Sequence, residues 1–295
     1  MRPFVNSLRQ MSAALRMLLI FTVILGVGYP LVITAIAQIP GLQSRADGSL
    51  LTVNGNVVGS KLIGQAFIDA KGNPLPQYVQ SRPSAGGYNP TASGASNLGP
   101  ESIVDTLPDP SVKGDTGTQS LLTQVCSRSL AIGKLDGVDG SRPYCTPDGV
   151  GAVLAVFHAQ PGYHGVVTRA VSLNQACPAT PFIRTFQGVT VQCAKFGVDY
   201  ATGKTVPIRG TAPAHPAVPA DAVTASGSGL DPDISPAYAK IQEAVVAKTR
   251  GITVAEVARV VAKYENGRDL GFAGEPRVNV LQVNAALDQQ YPVKK

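Results

Sequence analysis

The clearest hydrophobic pattern in this sequence is one long apolar run near its N-terminus. No charged residue occurs between Met17 and Ser44, and residues 17–37 are apolar almost throughout. At the rise of an α-helix this run spans about 31 Å, which matches the hydrocarbon core of a bilayer. The pattern therefore predicts a single transmembrane helix over residues 17–37.

Two features inside this run predict contact with partner helices. Pro30 should kink the helix, because proline lacks an amide hydrogen and its ring crowds the preceding turn. Gly26 and Gly28 leave a smooth surface just before the proline, which a neighbouring helix can approach closely. Gly26, Gly28 and Pro30 are therefore candidate packing residues within the membrane.

Basic residues predict the orientation of the helix. Arg2, Arg9 and Arg16 precede the run with no acidic residue among them, and no basic residue follows it closely. By the positive-inside rule, residues 1–16 lie in the cytoplasm and the rest of the chain lies beyond the membrane. The alternative is a signal peptide cleaved after the small-residue sequence 35–37, which would release a free extracytoplasmic binding module. Both interpretations export the body of the protein.

The part that follows, residues 38–118, combines a hairpin pattern with a long stretch of turn-forming residues. Residues 50–65 are predicted to form a hairpin, because Asn54 and Gly55 between two apolar segments favour a tight turn. Residues 72–110 are rich in Gly, Pro, Ser and Asn, whose side chains can satisfy the backbone locally. This stretch is predicted to be an ordered loop.

Hydrophobic stripes at helical spacing mark two helices near the C-terminus. Ser235 caps the first, which is expected to end at Gly251. A capping box of Thr253 and Glu256 opens the second, which is expected to end at Gly267.

The last predicted elements are a strand over residues 278–283 and a short helix over residues 284–290. Together with residues 38–118, residues 210–295 are predicted to form one extracytoplasmic domain of the α+β class.

Residues 119–209 differ in composition from the segments on either side and are predicted to form a β-rich insertion. Strand-like apolar runs occupy residues 149–157 and 189–196, and all the cysteines lie within the insertion. In an oxidising compartment, an even number of cysteines favours disulfides.

Nearest-neighbour spacing favours the pairs Cys126 with Cys145 and Cys177 with Cys193. Three pairings are open on sequence grounds. A zinc site is the other interpretation, although no Cys-x-x-Cys pair is present.

Charge and motifs argue against several function classes. The net charge is +6, but the three N-terminal arginines supply half of it, and no later stretch interleaves Lys or Arg with aromatic residues as nucleic-acid binding requires. The phosphate-binding loop Gly-x-x-x-x-Gly-Lys-Ser/Thr is absent from the sequence, so no ATP hydrolysis by this chain alone is expected. Ser228 lies in a sequence that only loosely resembles a nucleophile elbow, which leaves an exported hydrolase as a remote alternative.

Two segments, residues 81–100 and 219–236, are dense in small polar residues that can present hydroxyl and amide groups to a partner. The simpler interpretation of the second is that Asp231, Asp233 and Ser235 cap the following helix. The candidate partner-facing residues are Gln65, Arg82, Pro83, Ser84, Tyr88, Asn89, Ser93, Gly94, Ser96, Asn97, Asp221, Thr224, Ser226, Ser228 and Asp231.

These two segments closely resemble the KdpC family, the C subunits of the bacterial Kdp potassium-uptake ATPase. The resemblance extends to Gly59, Ser60, Leu62, Ile63, Gly64, Gln65 and Phe67, and to Gly251, Arg277, Val278, Asn279, Val280 and Leu281. It covers the anchor, the chain to about residue 100, and residues 218–287. Family members usually join the two segments by a short connection, so residues 101–217 depart from the family pattern and are interpreted as a lineage-specific insertion whose role the family does not supply.

The resemblance implies a non-catalytic subunit with one membrane span and an extracytoplasmic domain. Its implied partners are a channel-like subunit that binds potassium and a P-type ATPase subunit that hydrolyses ATP, so ATP and potassium would be handled by partners and no cofactor is expected on this chain. The family is needed for assembly and is also proposed to act as a catalytic chaperone that raises the ATP affinity of the ATPase subunit. Because ATP is cytoplasmic, the topology predicted above makes that effect an indirect coupling between distant sites.

Overall fold

The computed structural model describes residues 2–293. The chain forms two compact units that divide after Leu62. The first contains the apolar helix and a hairpin, and the second contains all later helices and strands.

The apolar run is a nearly continuous helix with a widened turn in front of its proline. Helix α1 (Arg2–Val23) leads into a π-helical turn (Ile24–Gly28), and α2 (Tyr29–Ala37) follows at once. Pro30 lies in the first turn of α2, where the π turn accommodates its ring and its missing amide hydrogen. Within residues 9–37, a stretch of 18 residues reaches a mean hydropathy of 2.3, and none of that stretch is buried within the structure. Their length and composition suit a membrane-spanning helix, and an N-terminal signal sequence can meet the same criteria.

The predicted hairpin is confirmed. After a short helix α3 (Gln43–Ala46), strand β1 (Leu50–Val53) pairs antiparallel with β2 (Asn56–Ser60). Asn54 and Gly55 have φ angles of 51° and 81°, the left-handed geometry that a two-residue primed turn requires at both central positions.

A long irregular segment opens the second unit. Between residues 61 and 119 the structure contains isolated bridges but no helix or extended strand. The ordered loop predicted over residues 72–110 lies inside this segment and is confirmed. Its buried backbone groups must therefore find partners other than a helix or a sheet ladder.

A helix that the sequence analysis did not predict follows this loop. Helix α4 (Leu121–Asp136) is capped by the Ser120 hydroxyl, which accepts from the Thr123 amide at 3.2 Å, and it ends at Gly137 with φ of 71°. The residues that α4 buries fully are mostly small or polar, so its most buried positions do not form an apolar stripe, although Val125 and Ile132 pack partly buried against the C-terminal core. The buried residues of α4 are Thr123, Cys126, Ser129, Gly133 and Asp136.

The segment predicted as a β-rich insertion contains a five-stranded sheet in the order β5-β6-β4-β3-β7. All neighbours are antiparallel except β4 and β6, which are parallel. Both predicted strand runs are present with shifted bounds, whereas β4 was not predicted. The strands are β3 (Val153–Gln160), β4 (His164–Ala176), β5 (Thr185–Phe186), β6 (Val189–Ala194) and β7 (Lys204–Pro207).

This sheet is buried on both faces. Val153 and Ala155 of β3 point into one hydrophobic cluster, and Leu154 and Val156 point into another on the opposite face. The four consecutive residues therefore form a continuous apolar run, because both pleat directions meet packed side chains.

Two disulfides tie this part of the chain together. Cys126 bonds Cys145 with their Cα atoms 5.4 Å apart, and Cys177 bonds Cys193 with their Cα atoms 5.1 Å apart. This is the nearest-neighbour pairing that the spacing favours. The first bridge joins α4 to the loop before β3. The second joins the residue that directly follows β4 to strand β6.

The C-terminal part is α+β, as predicted. The capping serine of α6 and the capping box of α7 are both confirmed. A small antiparallel sheet has the order β8-β10-β9. The elements are α5 (Ala220–Val223), β8 (Asp233–Ile234), α6 (Pro236–Arg250), α7 (Val254–Lys263), β9 (Glu265–Asn266), β10 (Arg277–Asn279) and α8 (Val280–Gln290).

Two predicted boundaries near the C-terminus are wrong. Helix α7 ends at Lys263 and not at Gly267, because the next residues pair with β10 as strand β9. The predicted strand 278–283 is mostly helix, since the Asn279 side chain accepts from the Gln282 amide at 3.1 Å and starts α8. A short apolar run of this kind fits a buried strand or a buried helix equally well.

Helices α6, α7 and α8 pack around one hydrophobic core. Val246, Val257 and Leu287 contribute one fully buried side chain from each helix, and Val79 enters from the irregular loop. Helix α4 also packs against this core through Val125 and Ile132. The segment predicted as an insertion thus shares a core with the rest of the second unit.

Two buried amides, Gln242 of α6 and Asn284 of α8, hold the irregular loop onto this core, and we call them the amide clamp. The Asn284 side chain accepts from the Val79 amide at 2.8 Å and donates to the Val79 carbonyl at 2.9 Å. The Gln242 side chain accepts from the Gln80 amide at 2.6 Å and donates to the Gln80 carbonyl at 3.3 Å. Each amide replaces the two hydrogen bonds that a neighbouring strand would supply.

Arg250 completes this attachment at the end of α6. Its Nε donates to the Gln77 carbonyl at 2.7 Å, and its guanidinium pairs with Asp288 of α8 at 2.8 Å. The guanidinium also lies 5.2 Å from the ring centroid of Tyr78. Loop, α6 and α8 therefore meet at one charged side chain that is buried and fully engaged.

We expect Asn284→Leu to lower the free energy of unfolding by about 2 to 4 kcal/mol, because the Val79 amide and carbonyl would stay buried without partners. Chemical denaturation of the purified protein measures this. Gln289→Ala, at an exposed position on the same helix, is the control and should change stability by less than about 0.5 kcal/mol. Equal effects of the two substitutions would contradict the role assigned to Asn284.

Candidate functional site

The two polar segments singled out in the sequence lie side by side. Residues 81–100 and 219–236 are more than a hundred positions apart, yet the Ser226 amide donates to the Pro83 carbonyl at 2.9 Å. We call these two segments together the motif pair. Most of their polar groups bond across the pair or within it, which makes them one ordered surface.

Serine hydroxyls and backbone amides join the motif pair at several points. The Ser84 hydroxyl donates to the Gly229 carbonyl at 2.7 Å. The Ser93 hydroxyl and the Gly94 amide both donate to the Ser228 carbonyl, each at 2.9 Å. Small polar residues suit this arrangement, because they bring two backbones close and still satisfy their carbonyls.

Close backbone approach also explains two glycines. The Gly64 amide donates to the Leu230 carbonyl at 2.8 Å, and a Cβ atom at Gly64 would overlap the Asp231 carbonyl oxygen and the Tyr88 ring. Gly229 has φ of 69°, and a Cβ there would lie 2.7 Å from the Gly94 carbonyl oxygen. Neither position can hold a larger residue without moving the motif pair.

An ion pair links the two segments. Arg82 donates to the Asp231 carboxylate at 2.9 Å, and both side chains are partly exposed. The Tyr88 hydroxyl donates to the Arg82 carbonyl at 2.8 Å, and burial raises the pKa of Tyr88 to about 12. Tyr88 is therefore a neutral hydrogen-bond donor at physiological pH.

The cap of helix α6 differs from the sequence-based interpretation, in which Asp231, Asp233 and Ser235 all cap this helix. Ser235 caps α6, accepting from the Tyr238 amide at 3.0 Å. Asp221 holds Ser235 by accepting from its amide at 2.7 Å and from its hydroxyl at 2.9 Å. Asp231 serves Arg82 and the Asp233 amide instead of the helix.

A cleft of about 410 Å³ opens beside the motif pair. Arg277 lies 3.6 Å from the Asp233 carboxylate, and Asn279 donates to the same carboxylate at 3.1 Å. Burial raises the pKa of Asp233, and the bond from Asn279 opposes that shift. The lining residues are Arg82, Asp221, Asp231, Asp233, Ile234, Ser235, Glu275, Pro276 and Arg277.

Glu275, Pro276 and Arg277 were not predicted as site residues. The available signal was the Arg277-to-Leu281 sequence that carries part of the family resemblance, which Arg277 opens and which Glu275 and Pro276 directly precede. The three residues reach the cleft because β10 pairs with β8, which follows the second polar segment.

The predicted partner-facing residues divide into two groups. Arg82, Ser84, Tyr88 and Asp231 are half-buried and Ser226 is buried, and all five bond within the second unit. Gln65, Pro83, Ser96 and Asp221 are also half-buried, and the exposed members are Asn89, Ser93, Gly94, Asn97, Thr224 and Ser228. Gly26, Gly28 and Pro30 belong to the first unit, and the disulfides lie outside the motif pair.

The hydrogen bonds around Ser228 bear on the remote hydrolase alternative. The Ser228 hydroxyl lies 3.2 Å from the Ser226 hydroxyl and accepts from the Leu230 amide at 3.1 Å, and neither group is a general base. Within residues 2–293, no three His, Cys, Asp or Glu side chains are grouped so that they could hold a metal ion. The motif pair is a polar surface held in place by internal hydrogen bonds and one ion pair.

Comparison with known proteins identifies the family. The model of the family described as KdpC, K+-transporting ATPase, c chain, matches residues 11–106 and 199–289, which is more than half of the sequence. The chain belongs to the KdpC family. Both polar segments and the cleft fall within the matched residues of this KdpC-family chain.

Proteins named potassium-transporting ATPase KdpC subunit resemble the chain over nearly its whole length. The one from Kineococcus radiotolerans is 35% identical over 289 residues, with 97% of each chain covered. Those from Beijerinckia indica and Rhodospirillum rubrum are 33% and 32% identical, with 97% or more of each chain covered.

The family model leaves residues 107–198 unmatched, and these residues contain α4, both disulfides and four of the five large-sheet strands. The relatives nevertheless align across this segment at comparable length. A long segment between the two polar motifs therefore occurs in relatives from several organisms, which corrects the interpretation of residues 101–217 as specific to one lineage.

We expect Gly64→Ala to destabilise the second unit by about 1 to 3 kcal/mol, because the added methyl group collides with the Asp231 backbone and the Tyr88 ring. Gly94→Ala is a matched control in the motif pair, since a Cβ there meets no atom within 4 Å. Thermal unfolding of both variants measures the difference. A stable Gly64→Ala protein would show that the two backbones are not in close contact.

Proposed function

We propose that this chain is a non-catalytic accessory subunit of a Kdp-type potassium-uptake ATPase complex, required for assembly. In this proposal, residues 17–37 anchor it in the cytoplasmic membrane with residues 1–16 in the cytoplasm, and the body works outside the cytoplasm. The observation that carries the proposal is the motif pair, which joins two distant family-matched segments into one ordered surface.

Three features support the extracytoplasmic placement of the body. The arginines before the apolar helix satisfy the positive-inside rule for a cytoplasmic N-terminus. The helix is long and apolar enough to span a bilayer. Two disulfides use all the cysteines of the chain, and such bonds persist in oxidising compartments outside the cytoplasm.

We also propose the division of labour within the complex. A channel-like subunit would bind potassium, and a P-type ATPase subunit would bind and hydrolyse ATP. A catalytic-chaperone effect that raises ATP affinity would then act across the membrane, through two states of the complex that this chain stabilises differently.

In the proposed organisation, residues 38–118 and 210–295 form the family domain and residues 119–209 form an insertion fixed to it. The Arg128 guanidinium of α4 donates to the Val223 carbonyl at 3.0 Å, and Arg142 donates to the Val218 carbonyl. These contacts support a rigid attachment of the insertion to the family domain.

Purification from native membranes tests the proposal. We expect the chain, with its N-terminal helix intact, to co-purify in mild detergent with a channel-like subunit and a P-type ATPase subunit. Mass spectrometry identifies the bound chains, and N-terminal sequencing reads the mature end. Recovery of a lone soluble chain that begins after Ala37 would support the free binding module and reject the anchored subunit.

Replacing Gly28 by leucine should reduce recovery of the complex if the apolar helix packs on partner helices. A Cβ at Gly28 meets only the Val23 carbonyl oxygen at 3.8 Å within the chain, so the substitution adds bulk toward neighbours without disturbing the helix itself. Val32→Leu, in the same exposed helix, is the control. Equal recovery of the Gly28→Leu and control complexes would argue against close helix packing at this position.

A further inference from the structure

A cleft of about 610 Å³ opens on the large sheet, apart from the cleft beside the motif pair. We call it the sheet cleft. Arg169 of β4, Gln192 of β6 and Lys195, which directly follows β6, bring polar side chains to it. None of the described residues that line it is acidic. Two cations therefore share one concave surface without a carboxylate among its lining residues.

The Arg169 side chain is held in place by three neighbours. Its Nε donates to the Gln192 side-chain carbonyl at 3.1 Å. Its guanidinium lies 5.2 Å from the ring centroid of Phe157, its cross-strand neighbour on β3, and 5.6 Å from that of Tyr200. Contacts with aromatic faces restrict the orientation of a guanidinium. Because Arg169 is already ordered, a ligand that binds it does not have to immobilise a free side chain.

The two Nη nitrogens of Arg169 have no partner in the described part of the chain. Within residues 2–293, the only hydrogen bond of this side chain is the one from Nε to Gln192, and the guanidinium forms no ion pair. By contrast, Arg82, Arg250 and Arg268 each pair with a carboxylate at 2.7 to 2.9 Å. The end of the Arg169 guanidinium therefore offers two parallel N–H donors, a geometry that suits an oxyanion.

Lys195 adds a second positive charge to the same cleft. Among residues 2–293, no carboxylate lies at ion-pair distance from its ammonium group. Asp199 is close by in sequence, but its carboxylate accepts from the Ala201 amide at 2.8 Å, and the residue lines a neighbouring cavity. The charge of the sheet cleft is thus left for an anion from outside the chain to neutralise.

Apolar groups form much of the remaining wall. Pro181, Val191 and Val198 line the sheet cleft together with the disulfide of Cys177 and Cys193. Walls of low polarizability strengthen the field of the cations inside a cleft. They also provide few partners for the many hydroxyl groups of a neutral ligand such as a sugar. A compact, strongly charged ligand fits these surroundings better.

We propose that the sheet cleft binds a phosphate-class oxyanion, with two of its oxygens on the Arg169 Nη nitrogens and the Lys195 ammonium as the second positive charge. A tetrahedral group with close to two negative charges matches two cations better than a carboxylate does. Two sources carry this chemistry: a free phosphate or phosphate monoester, and the phosphate of a lipid headgroup. The inference goes beyond the proposed function and does not rest on it.

Titration of the full chain with inorganic phosphate tests the proposal. The chain is purified in an uncharged detergent without phosphate, and calorimetry measures the binding. We expect saturable binding of one phosphate per chain in the millimolar range, weakening as sodium chloride is added, because the cleft is open to solvent. Acetate at the same ionic strength should bind at least about fivefold more weakly, since it carries one charge. Absence of saturable phosphate binding, or equal binding of acetate, would overturn the proposal.

Substitutions of Arg169 test the assigned contact. Arg169→Gln should lower phosphate affinity by about fivefold or more, because a charge-assisted pair of hydrogen bonds is lost. Arg169→Lys keeps the charge without the planar fork and should also bind more weakly than the unmodified chain. The control is Lys134→Gln, which removes one positive charge from an exposed position on α4 outside the cleft and should leave the affinity unchanged. Equal affinities of Arg169→Gln and Lys134→Gln, or an unchanged affinity of Arg169→Lys, would contradict the contact.

Lys195→Gln separates binding from folding, in case loss of Arg169 disturbs the packing of Phe157 and Tyr200. Lys195 is exposed, and its side chain forms no hydrogen bond within residues 2–293, where only its backbone amide bonds to Tyr200. We expect an unchanged melting temperature and a phosphate affinity that falls severalfold. A folded Lys195→Gln chain that binds phosphate as tightly as the unmodified chain would overturn the site.

Two bilayer preparations distinguish the sources of the oxyanion. The full chain, labelled with 15N-arginine, is placed in nanodiscs of phosphatidylcholine alone or with added phosphatidic acid, and NMR follows the Arg169 Nε resonance, which Arg169→Gln identifies by its loss. A shift produced by phosphatidic acid without free phosphate supports the site and identifies a lipid headgroup. A shift that requires inorganic phosphate supports it and identifies a soluble ligand. A resonance that moves in neither case would reject the inference.

Discussion

The second unit depends on satisfying the backbone of a long segment that forms neither helix nor sheet. Residues 61–119 run partly through the interior, where an unpaired amide or carbonyl costs about 1 to 3 kcal/mol. The amide clamp of Gln242 and Asn284 supplies strand-like hydrogen bonds from two helices. The second polar segment supplies further bonds, such as that from the Ser226 amide to the Pro83 carbonyl. Core packing and loop geometry are therefore parts of one arrangement.

This arrangement gives the small polar residues of the motif pair a structural task as well as a candidate functional one. Ser84 and Ser226 form hydrogen bonds within the motif pair, and Arg82 forms an ion pair with Asp231. What the surface offers to other molecules is then the set of exposed groups that these bonds hold in place, such as Asn97. A rigid surface of this kind is compatible with the proposed role as an accessory subunit.

The segment without a match in the family model is built into the same unit. Helix α4 contributes to the core of α6, α7 and α8 on one side and packs near the large sheet through Leu122 on the other. Disulfides join α4 to the loop before β3 and close the end of β4 onto β6. The sheet thereby gains support on one face from residues of the family-matched chain such as Ile103. A covalently braced segment of this kind suits a compartment without cytoplasmic reductants.

The sequence by itself determined the features that depend on a few neighbouring residues: the apolar helix, the Asn54-Gly55 turn, and the caps at Ser235 and Thr253. Periodicity, turn chemistry and capping act within one or two turns of chain, so they can be read directly. Tertiary structure decided the rest. Helix α4 fully buries mostly small and polar side chains, which an apolar pattern does not mark. Helix α8 begins at Val280 because the Asn279 side chain accepts a hydrogen bond from the Gln282 amide, which cuts the predicted strand short. The joining of the two polar segments depends on hydrogen bonds between residues more than a hundred positions apart, and only the folded chain brings those groups together.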